Sequence, residues 1–232
     1  MEIVALRAIT SGEEITVPYL DPALPLQTRQ SALRANYGFN CMCPLCTFQQ
    51  TLGPVVPLPS DSKNIRAVED SLCEYVTSHI LQLDAYGIPP SAAETSPGSG
   101  IPSELFCLLN ADYLPSLSET FSRSSHEGNY EIALASGRTL LAFYAAIYPR
   151  NYPQIGMHAL ELSKTAWNAS ITRNDDVEAS HPPPAVTKLL EDRARHYLTL
   201  AAEVMQCFGP EGDEGGPFEE IRIMRELLQG TS

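Results

Sequence analysis

The sequence is poor in basic residues and lacks a long hydrophobic run. Its 232 residues include 15 Lys and Arg against 28 Asp and Glu, which gives a formal net charge of −13. A surface of this sign repels phosphates, so we expect no direct nucleic-acid binding, whereas a basic peptide would be attracted. The longest apolar stretch, 140–148, is far shorter than the roughly 20 residues that span a bilayer. We therefore expect no membrane association.

The chain also lacks the marks of a secreted protein. Its first residues do not pair a basic segment with an apolar one, as a secretory signal does. Three of the six cysteines crowd into 41–46, and Cys73, Cys107 and Cys207 stand singly in apolar text, which is unlike a disulfide framework. These features predict an intracellular protein of the nucleus and/or cytoplasm, in which the clustered cysteines hold a metal.

The first 48 residues combine short strand-like segments with one helix. Segments 3–8 and 14–19 are β-branched or apolar, flank a turn-like spacer, and are too short for helices, so they predict two strands. Two strands alone bury too little to be stable, so we expect the chain to begin inside a domain whose earlier strands are absent. Apolar spacing predicts a helix from Leu26 to Tyr37, ended by Gly38, and the prolines of 49–60 predict a linker.

The remainder, 61–232, is predicted to be helical. Ile65, Val68, Leu72, Val76, Ile80 and Leu83 recur at helical spacing. Segment 87–100 is rich in Pro, Gly and Ser and predicts a flexible insertion. Further helices are expected at 103–110, 117–123, 130–148, 153–167, 185–208 and 218–228. Residues 127–133 have the spacing of one tetratricopeptide turn, but no second copy follows at 34 residues, which favours a degenerate array over a true repeat protein. The predicted fold is mainly α, a β-fragment and cysteine loop followed by a tetratricopeptide-like antiparallel helical array.

Cys41-Met42-Cys43-Pro44-Leu45-Cys46 is the sharpest local motif. The Cys-x-x-Cys half places two thiolates around a turn that Pro44 stiffens, and Cys41 can reach the same point from extended backbone. Zinc takes four tetrahedral ligands and this stretch supplies three. The alternative is three reduced, unligated cysteines at the end of a helix.

Tyr19 ends the second predicted strand. Pro18 cannot donate to a sheet ladder, so the strand ends there or lies at an edge. Tyr19 is then placed where a strand opens onto a loop, and its hydroxyl can face a cleft. Taken alone, the same pattern also fits a tyrosine that merely caps a core.

Taken in order, these features resemble a known family. The text ALRAITSGEEITVPYLD, then Arg29 and Leu33, then YGFNCMCPLC at 37–46, resembles the closing segment of a SET domain and its post-SET zinc loop. It is most similar to the SET- and MYND-domain (SMYD-like) protein-lysine methyltransferases and their fungal relatives. Segments 128–156 and 201–209 are similar to the tetratricopeptide-like C-terminal region of that class, and 87–100 has no counterpart.

The resemblance implies a set of roles. Tyr19 would be the catalytic tyrosine that closes the active site and contacts S-adenosylmethionine, and Phe39 would be the aromatic residue that lies against the adenosine of this cofactor. Cys41, Cys43 and Cys46 would bind zinc. In this family the fourth ligand is a cysteine just after an upstream Asn-His motif, and neither that motif nor the glycine-rich cofactor strand is found in 1–232.

Two functions follow as hypotheses. The first is the C-terminal part of an S-adenosylmethionine-dependent protein-lysine methyltransferase, inactive or incomplete as this chain, whose partner is a protein or a lysine-bearing basic peptide. The second is a non-catalytic interaction module in which the helices bind a partner and the SET remnant is a structural cap. The acidic helices would gather a basic substrate in the first case, although acidity also fits a merely soluble surface.

Overall fold

The chain folds into helices joined by irregular segments in a computed structural model, which describes residues 3–52, 57–81, 101–109, 113–149, 151–175, 184–209 and 216–230. The α-helices are α1 (Leu26–Tyr37), α2 (Pro44–Thr51), α3 (Ser62–Tyr75), α4 (Tyr113–His126), α5 (Tyr130–Ile147), α6 (Pro153–Asp175), α7 (Pro184–Met205) and α8 (Pro217–Gln229). A π-helical turn, Val76–Ile80, continues α3, and 3₁₀ turns occupy Ser103–Leu109 and Gln206–Phe208. The mainly α prediction is confirmed.

The two predicted strands are wrong as regular structure. Segments 3–8 and 14–19 run as irregular chain, and the described residues contain no strand. The spacer between them does turn, because the Glu13 N–H donates to the Thr10 carbonyl at 3.1 Å. Ile15 and Val17 stay largely exposed. A strand needs a neighbour to pair its backbone groups and cover its apolar face, and these two segments do not provide that for each other.

Helix α1 has the predicted bounds. Gly38 adopts a left-handed φ of +77° and its N–H donates to the Arg34 carbonyl at 3.1 Å, which ends the helix. The following helix was not expected, because the cysteine motif read as a turn that led into a linker at residue 49. Pro44 occupies the first turn of α2, where its missing N–H costs nothing, and residues 49–51 are helical.

Helices α4 to α8 form an antiparallel array around one hydrophobic core. Each packs against its neighbour in the chain. At the turn between α4 and α5, Gly128 has a φ of +79°, and Ala133 is fully buried one turn into α5. Deeper in the array, the Ser163 hydroxyl donates to the Ala194 carbonyl at 2.8 Å and joins α6 to α7. Consecutive helices therefore cover each other's apolar faces.

A second core lies beneath α3. Asp61 caps this helix by accepting the Asn64 N–H at 2.9 Å. Of the predicted apolar face, Leu72 and Val76 are buried, and Val68 and Ile80 pack beside them. Leu83 and the predicted insertion at 87–100 lie outside the described residues. None of the helices that the structure describes is long and apolar enough to cross a membrane.

Candidate metal and aromatic site

The three clustered cysteines converge. The Sγ atoms of Cys41, Cys43 and Cys46 all lie within 4.8 Å of one another, and none of the three forms a disulfide. Cys46 is buried, Cys41 is half-buried and Cys43 is exposed. The spacing of the motif therefore brings the three predicted ligands to one point.

Two helices produce this convergence. Gln30 of α1 binds the Cys41 backbone through both polar atoms of its side-chain amide: its Nε2 donates to the Cys41 carbonyl at 2.8 Å, and its Oε1 accepts a hydrogen bond from the Cys41 N–H at 3.0 Å. Cys43 caps the start of α2, where its Sγ accepts the Cys46 N–H at 3.5 Å. An N–H group that points at the sulfur favours a thiolate, since the N-terminus of a helix attracts negative charge.

A buried arginine places a positive charge next to the cysteine cluster. Arg29 is only 4 % exposed, and its Nη2 lies 3.6 Å from Cys46 Sγ. Burial raises the pKa of Cys46 to about 11, and the Arg29 guanidinium partly opposes that rise. For Cys43, burial also acts to raise the pKa, but the Cys46 N–H and the Cys41 thiol donate hydrogen bonds that leave it lowered.

This donor set fits a zinc ion with one ligand still to be supplied. Three thiolates carry more negative charge than Zn²⁺ neutralises, and an adjacent buried guanidinium offsets the excess. In the described part of the chain, no fourth Cys, His, Asp or Glu joins the cluster. Cys73 and Cys107 belong instead to the core beneath α3, and burial raises the pKa of each thiol.

Tyr19 and Phe39 meet beside this cluster. Their ring centroids are 5.6 Å apart in an edge-to-face arrangement. Tyr37 joins them, with its centroid 4.8 Å from Tyr19 and 6.5 Å from Phe39. Tyr19 and Tyr37 are each 53 % exposed and Phe39 is 37 % exposed. An exposed cluster of three aromatic rings presents an apolar surface, which suits a ring-bearing ligand or a side-chain channel.

Sequence reasoning missed the parts played by Arg29 and Tyr37. Arg29 lies one turn before Leu33 on α1, so a charged residue at a core-facing position was the available signal. Tyr37 directly precedes the left-handed Gly38, whose turn brings Tyr37 and Phe39 together.

Comparisons with known proteins point to one class. No protein-family profile matches the chain. The chain is 52 % identical over 44 residues to "Histone-lysine N-methyltransferase ATXR2" of Arabidopsis thaliana, which is 19 % of this chain and 9 % of that protein. A SET and MYND domain-containing protein of Dictyostelium discoideum is 46 % identical over 46 residues, 20 % of this chain and 13 % of its own length. "Histone-lysine N-methyltransferase Smyd1" of Mus musculus is 25 % identical over 173 residues, 73 % of this chain and 35 % of that protein.

These relatives are SET-domain proteins of the SMYD-like class, as the motifs indicated. The strong matches are short and cover about a tenth of the relatives' length, whereas the Smyd1 match extends over most of this chain at lower identity. The chain thus spans well under two thirds of the relatives that it matches.

Proposed function

We propose that this chain is part of an S-adenosylmethionine-dependent protein-lysine methyltransferase of the SMYD-like class. The observation that supports it best is the meeting of Tyr19 with Phe39, because the resemblance assigns both residues to one pocket and they lie 20 positions apart in sequence. The names of the relatives support the same reaction class.

In this proposal the aromatic residues orient the reactants. Tyr19 and Phe39 would line the pocket for S-adenosylmethionine, which would supply the methyl group for the lysine nitrogen. The Tyr19 hydroxyl would accept a hydrogen bond from the amine and aim its lone pair at that methyl group, while Phe39 and Tyr37 wall the approach. Such alignment supplies much of the rate in an in-line displacement.

In this proposal the cysteine cluster fixes the position of Phe39 beside the cofactor. Phe39 lies two residues before Cys41, so a zinc ion bound by Cys41, Cys43 and Cys46 would restrain its backbone. With three ligands the chain alone should bind less than one zinc per molecule. Elemental analysis tests this, and a content near one zinc per chain would show that a fourth ligand is already present.

We further propose that the isolated chain binds S-adenosylmethionine weakly. The described part of the candidate pocket is one exposed aromatic surface, and the apolar residues leading to Tyr19 are uncovered. Calorimetric titration of the 232-residue chain tests the proposal. A dissociation constant in the low micromolar range, about −8 kcal/mol, would contradict it.

Tyr19→Phe tests the catalytic role once SET residues preceding the chain are joined to it. We expect the joined protein to bind the cofactor and Tyr19→Phe to lower kcat with little change in cofactor affinity. Tyr130→Phe is the matched control, because Tyr130 begins α5 in the array, far along the chain from the aromatic cluster. Equal activity of the two variants would remove Tyr19 from the mechanism.

We propose 1–48 as the end of a SET domain with its post-SET loop, 49–60 as a linker and 61–232 as the helical domain. The substrate would be a lysine-bearing basic protein segment, in keeping with the net charge of −13. We propose the nucleus or cytoplasm as the protein's compartment, in keeping with the histone-lysine methyltransferase names of the relatives.

A cavity favours the alternative, a non-catalytic interaction module. It has a volume of about 340 Å³ between the π-helical turn, α5 and α7, and its lining includes Arg138, Arg193 and Tyr197 over an apolar floor. Asp192 also lines it, and its carboxylate pairs with Arg195. Arg193 makes no ion pair with another described residue. An apolar peptide with an acidic group would suit this lining.

Anisotropy titration of a labelled apolar peptide with a free carboxyl end separates the two functions. The module predicts saturable binding that Arg193→Glu abolishes and Lys188→Glu, on the same helix outside the cavity lining, retains. The coding sequence upstream of Met1 is a second discriminator, since an in-frame Asn-His-Ser-Cys-like stretch there favours the enzyme.

A further inference from the structure

Arg29 connects the cysteine cluster to the loop that follows Tyr19. One end of its guanidinium, Nη2, contacts Cys46 Sγ at 3.6 Å and also bonds the Gln49 side chain. The other nitrogen, Nη1, donates to the carbonyls of Pro22, at 2.6 Å, and Leu24. A single buried cation thus spans two segments that the chain separates by about twenty residues.

The same loop, residues 21–24, is fastened on its other side to the helical array. Asp21 accepts a hydrogen bond from the Tyr148 hydroxyl at 2.7 Å and from the Ala23 N–H at 2.9 Å. Tyr148 is buried at the end of α5 and stacks on Tyr152, with ring centroids 4.4 Å apart. Asn151 reaches the chain before Tyr19 as well, donating to the Leu6 carbonyl at 2.8 Å.

We infer that Arg29 is a positioning residue that couples the state of the cysteine cluster to the loop 21–24, and through it to Tyr19, which stands two residues earlier. The inference rests on the proposed function for its relevance to catalysis. Zinc held by the three cysteines would fix the position of Cys46 Sγ and with it one end of the guanidinium, while the other end holds the Pro22 and Leu24 carbonyls. Without the metal, Cys46 Sγ is fixed only by its own helix, so the guanidinium and the loop are held less firmly.

The geometry requires arginine rather than any cation. A guanidinium carries five N–H donors in a planar fork and can serve partners on two sides at once. A lysine ammonium is a single point on a flexible stem, so it can serve the carbonyls or the sulfur but not both in this arrangement. Arg29→Lys therefore keeps the buried charge and removes the bridge.

Hydrogen exchange with and without Zn²⁺ tests the coupling in the 232-residue chain. In the unsubstituted protein we expect Zn²⁺ to slow exchange in the peptide spanning 19–24 by about tenfold, the effect of one charge-assisted hydrogen bond. In Arg29→Lys the metal should still bind, as counted by native mass spectrometry, and the slowing at 19–24 should vanish. Arg34→Lys is the matched control, because Arg34 lies on the same helix and bonds Asn40 instead of the loop.

The outcomes separate this inference from the zinc proposal. Equal slowing in Arg29→Lys and in the unsubstituted chain would overturn the coupling while leaving the zinc site intact. If Zn²⁺ does not bind the unsubstituted chain, the zinc proposal fails, and the contact is then tested without metal by Cys46→Ala. Faster exchange at 19–24 in that variant supports the role of Arg29, and unchanged exchange overturns it.

The hydrogen bond between Tyr148 and Asp21, which joins the loop 21–24 to the helical array, is tested by a variant and a control. Tyr148→Phe removes the hydroxyl that donates a hydrogen bond to Asp21 and keeps the stacked ring. The rate of hydrogen exchange at 19–24 should therefore rise. Tyr113→Phe removes a part-buried hydroxyl that donates to Glu69 of α3 rather than to the loop, and should leave exchange unchanged. Equal exchange in both variants would remove the helical array from the network.

Discussion

The N-terminal region, residues 3–52, and the helical array, α4 to α8, differ in how far they bury their apolar side chains. In the array, Leu140 and Leu162 are almost fully buried. In the N-terminal region, large apolar side chains remain exposed, among them Ile3, Ile15, Val17, Tyr19 and Met42. The array therefore encloses a large core of its own, although Ile132, Met157 and Leu189 on its surface are also about half exposed, whereas the N-terminal region buries few of its apolar side chains.

Secondary structure explains this contrast. A helix pairs its backbone groups within itself and needs only a neighbour for its apolar stripe, and here the next helix in the chain provides that neighbour. A strand needs another strand to pair with, and that strand is often distant in sequence. Segments 3–8 and 14–19 have strand composition but find no such pairing within the described residues.

The largest expected effect comes from emptying the core of the array. Leu162→Ala should lower the free energy of unfolding by about 2–5 kcal/mol, because it leaves a cavity where a fully buried side chain was. Ile15→Ala in the N-terminal region should change it by less than about 0.5 kcal/mol, since that side chain is 74 % exposed. Urea denaturation measures both. Similar losses would mean that the two regions form one core.

A buried histidine gives the array a pH dependence. His158 contacts Phe121 and Tyr144 with its ring and donates from Nε2 to the Gly137 carbonyl at 2.8 Å. Burial lowers its pKa from 6.5 to about 4, against the Gly137 carbonyl and the Glu161 carboxylate, which act to raise it. The unfolded chain therefore takes up the proton first as the pH falls.

The stability that neutral His158 contributes is present above pH 6.5 and is lost as the pH falls from 6.5 towards 4. The total corresponds to about 3 kcal/mol for the difference between those two pKa values. Denaturation midpoints at several pH values measure it, and His158→Gln should flatten the curve in this window. An unchanged curve in the variant would assign the pH dependence to other groups.

The sequence predicted the array better than the N-terminal region for the same physical reason. Helical periodicity is local, so the starts of α5, α6 and α8 in the array were found within a residue, and α1 was the one element of the N-terminal region found as well. The convergence of the cysteines was also predictable, because their spacing is local. The contact between Tyr19 and Phe39 was expected only from the family resemblance. The bridge by Arg29 was predicted neither from local patterns nor from the resemblance, because it joins segments that no local pattern relates.

A smaller effect is expected where helices approach most closely. A Cβ atom added to Gly137 would meet Leu162 Cδ2 and the Phe121 ring at 2.7 Å. Gly137→Ala should therefore lower the free energy of unfolding by about 1–3 kcal/mol despite the better helix propensity of alanine. Gly230→Ala is the control, since its Cβ meets nothing closer than 3.7 Å. Thermal denaturation that ranks Gly230→Ala as equally harmful would show that the three helices can separate at no cost.

The smallest expected effect compares two glycines with nearly the same backbone. Gly128 and Gly12 have φ values of +79° and +86°, and a Cβ at either position would meet no atom within 4 Å. Alanine is strained in this conformation by about 1 kcal/mol. At Gly128 the strain cannot relax, because the turn joins α4 to α5 and both helices are packed in the core.

At Gly12 the turn lies in an exposed segment held by the Thr10 and Glu13 hydrogen bonds, so a small shift of the backbone can relieve the strain. Gly128→Ala should therefore lower the free energy of unfolding by about 1 kcal/mol and Gly12→Ala by less than about 0.5 kcal/mol. Urea denaturation of both variants makes the measurement. Equal losses would show that residues 3–20 unfold together with the helices, because only a segment that is part of the cooperative unit passes its local strain to the whole protein.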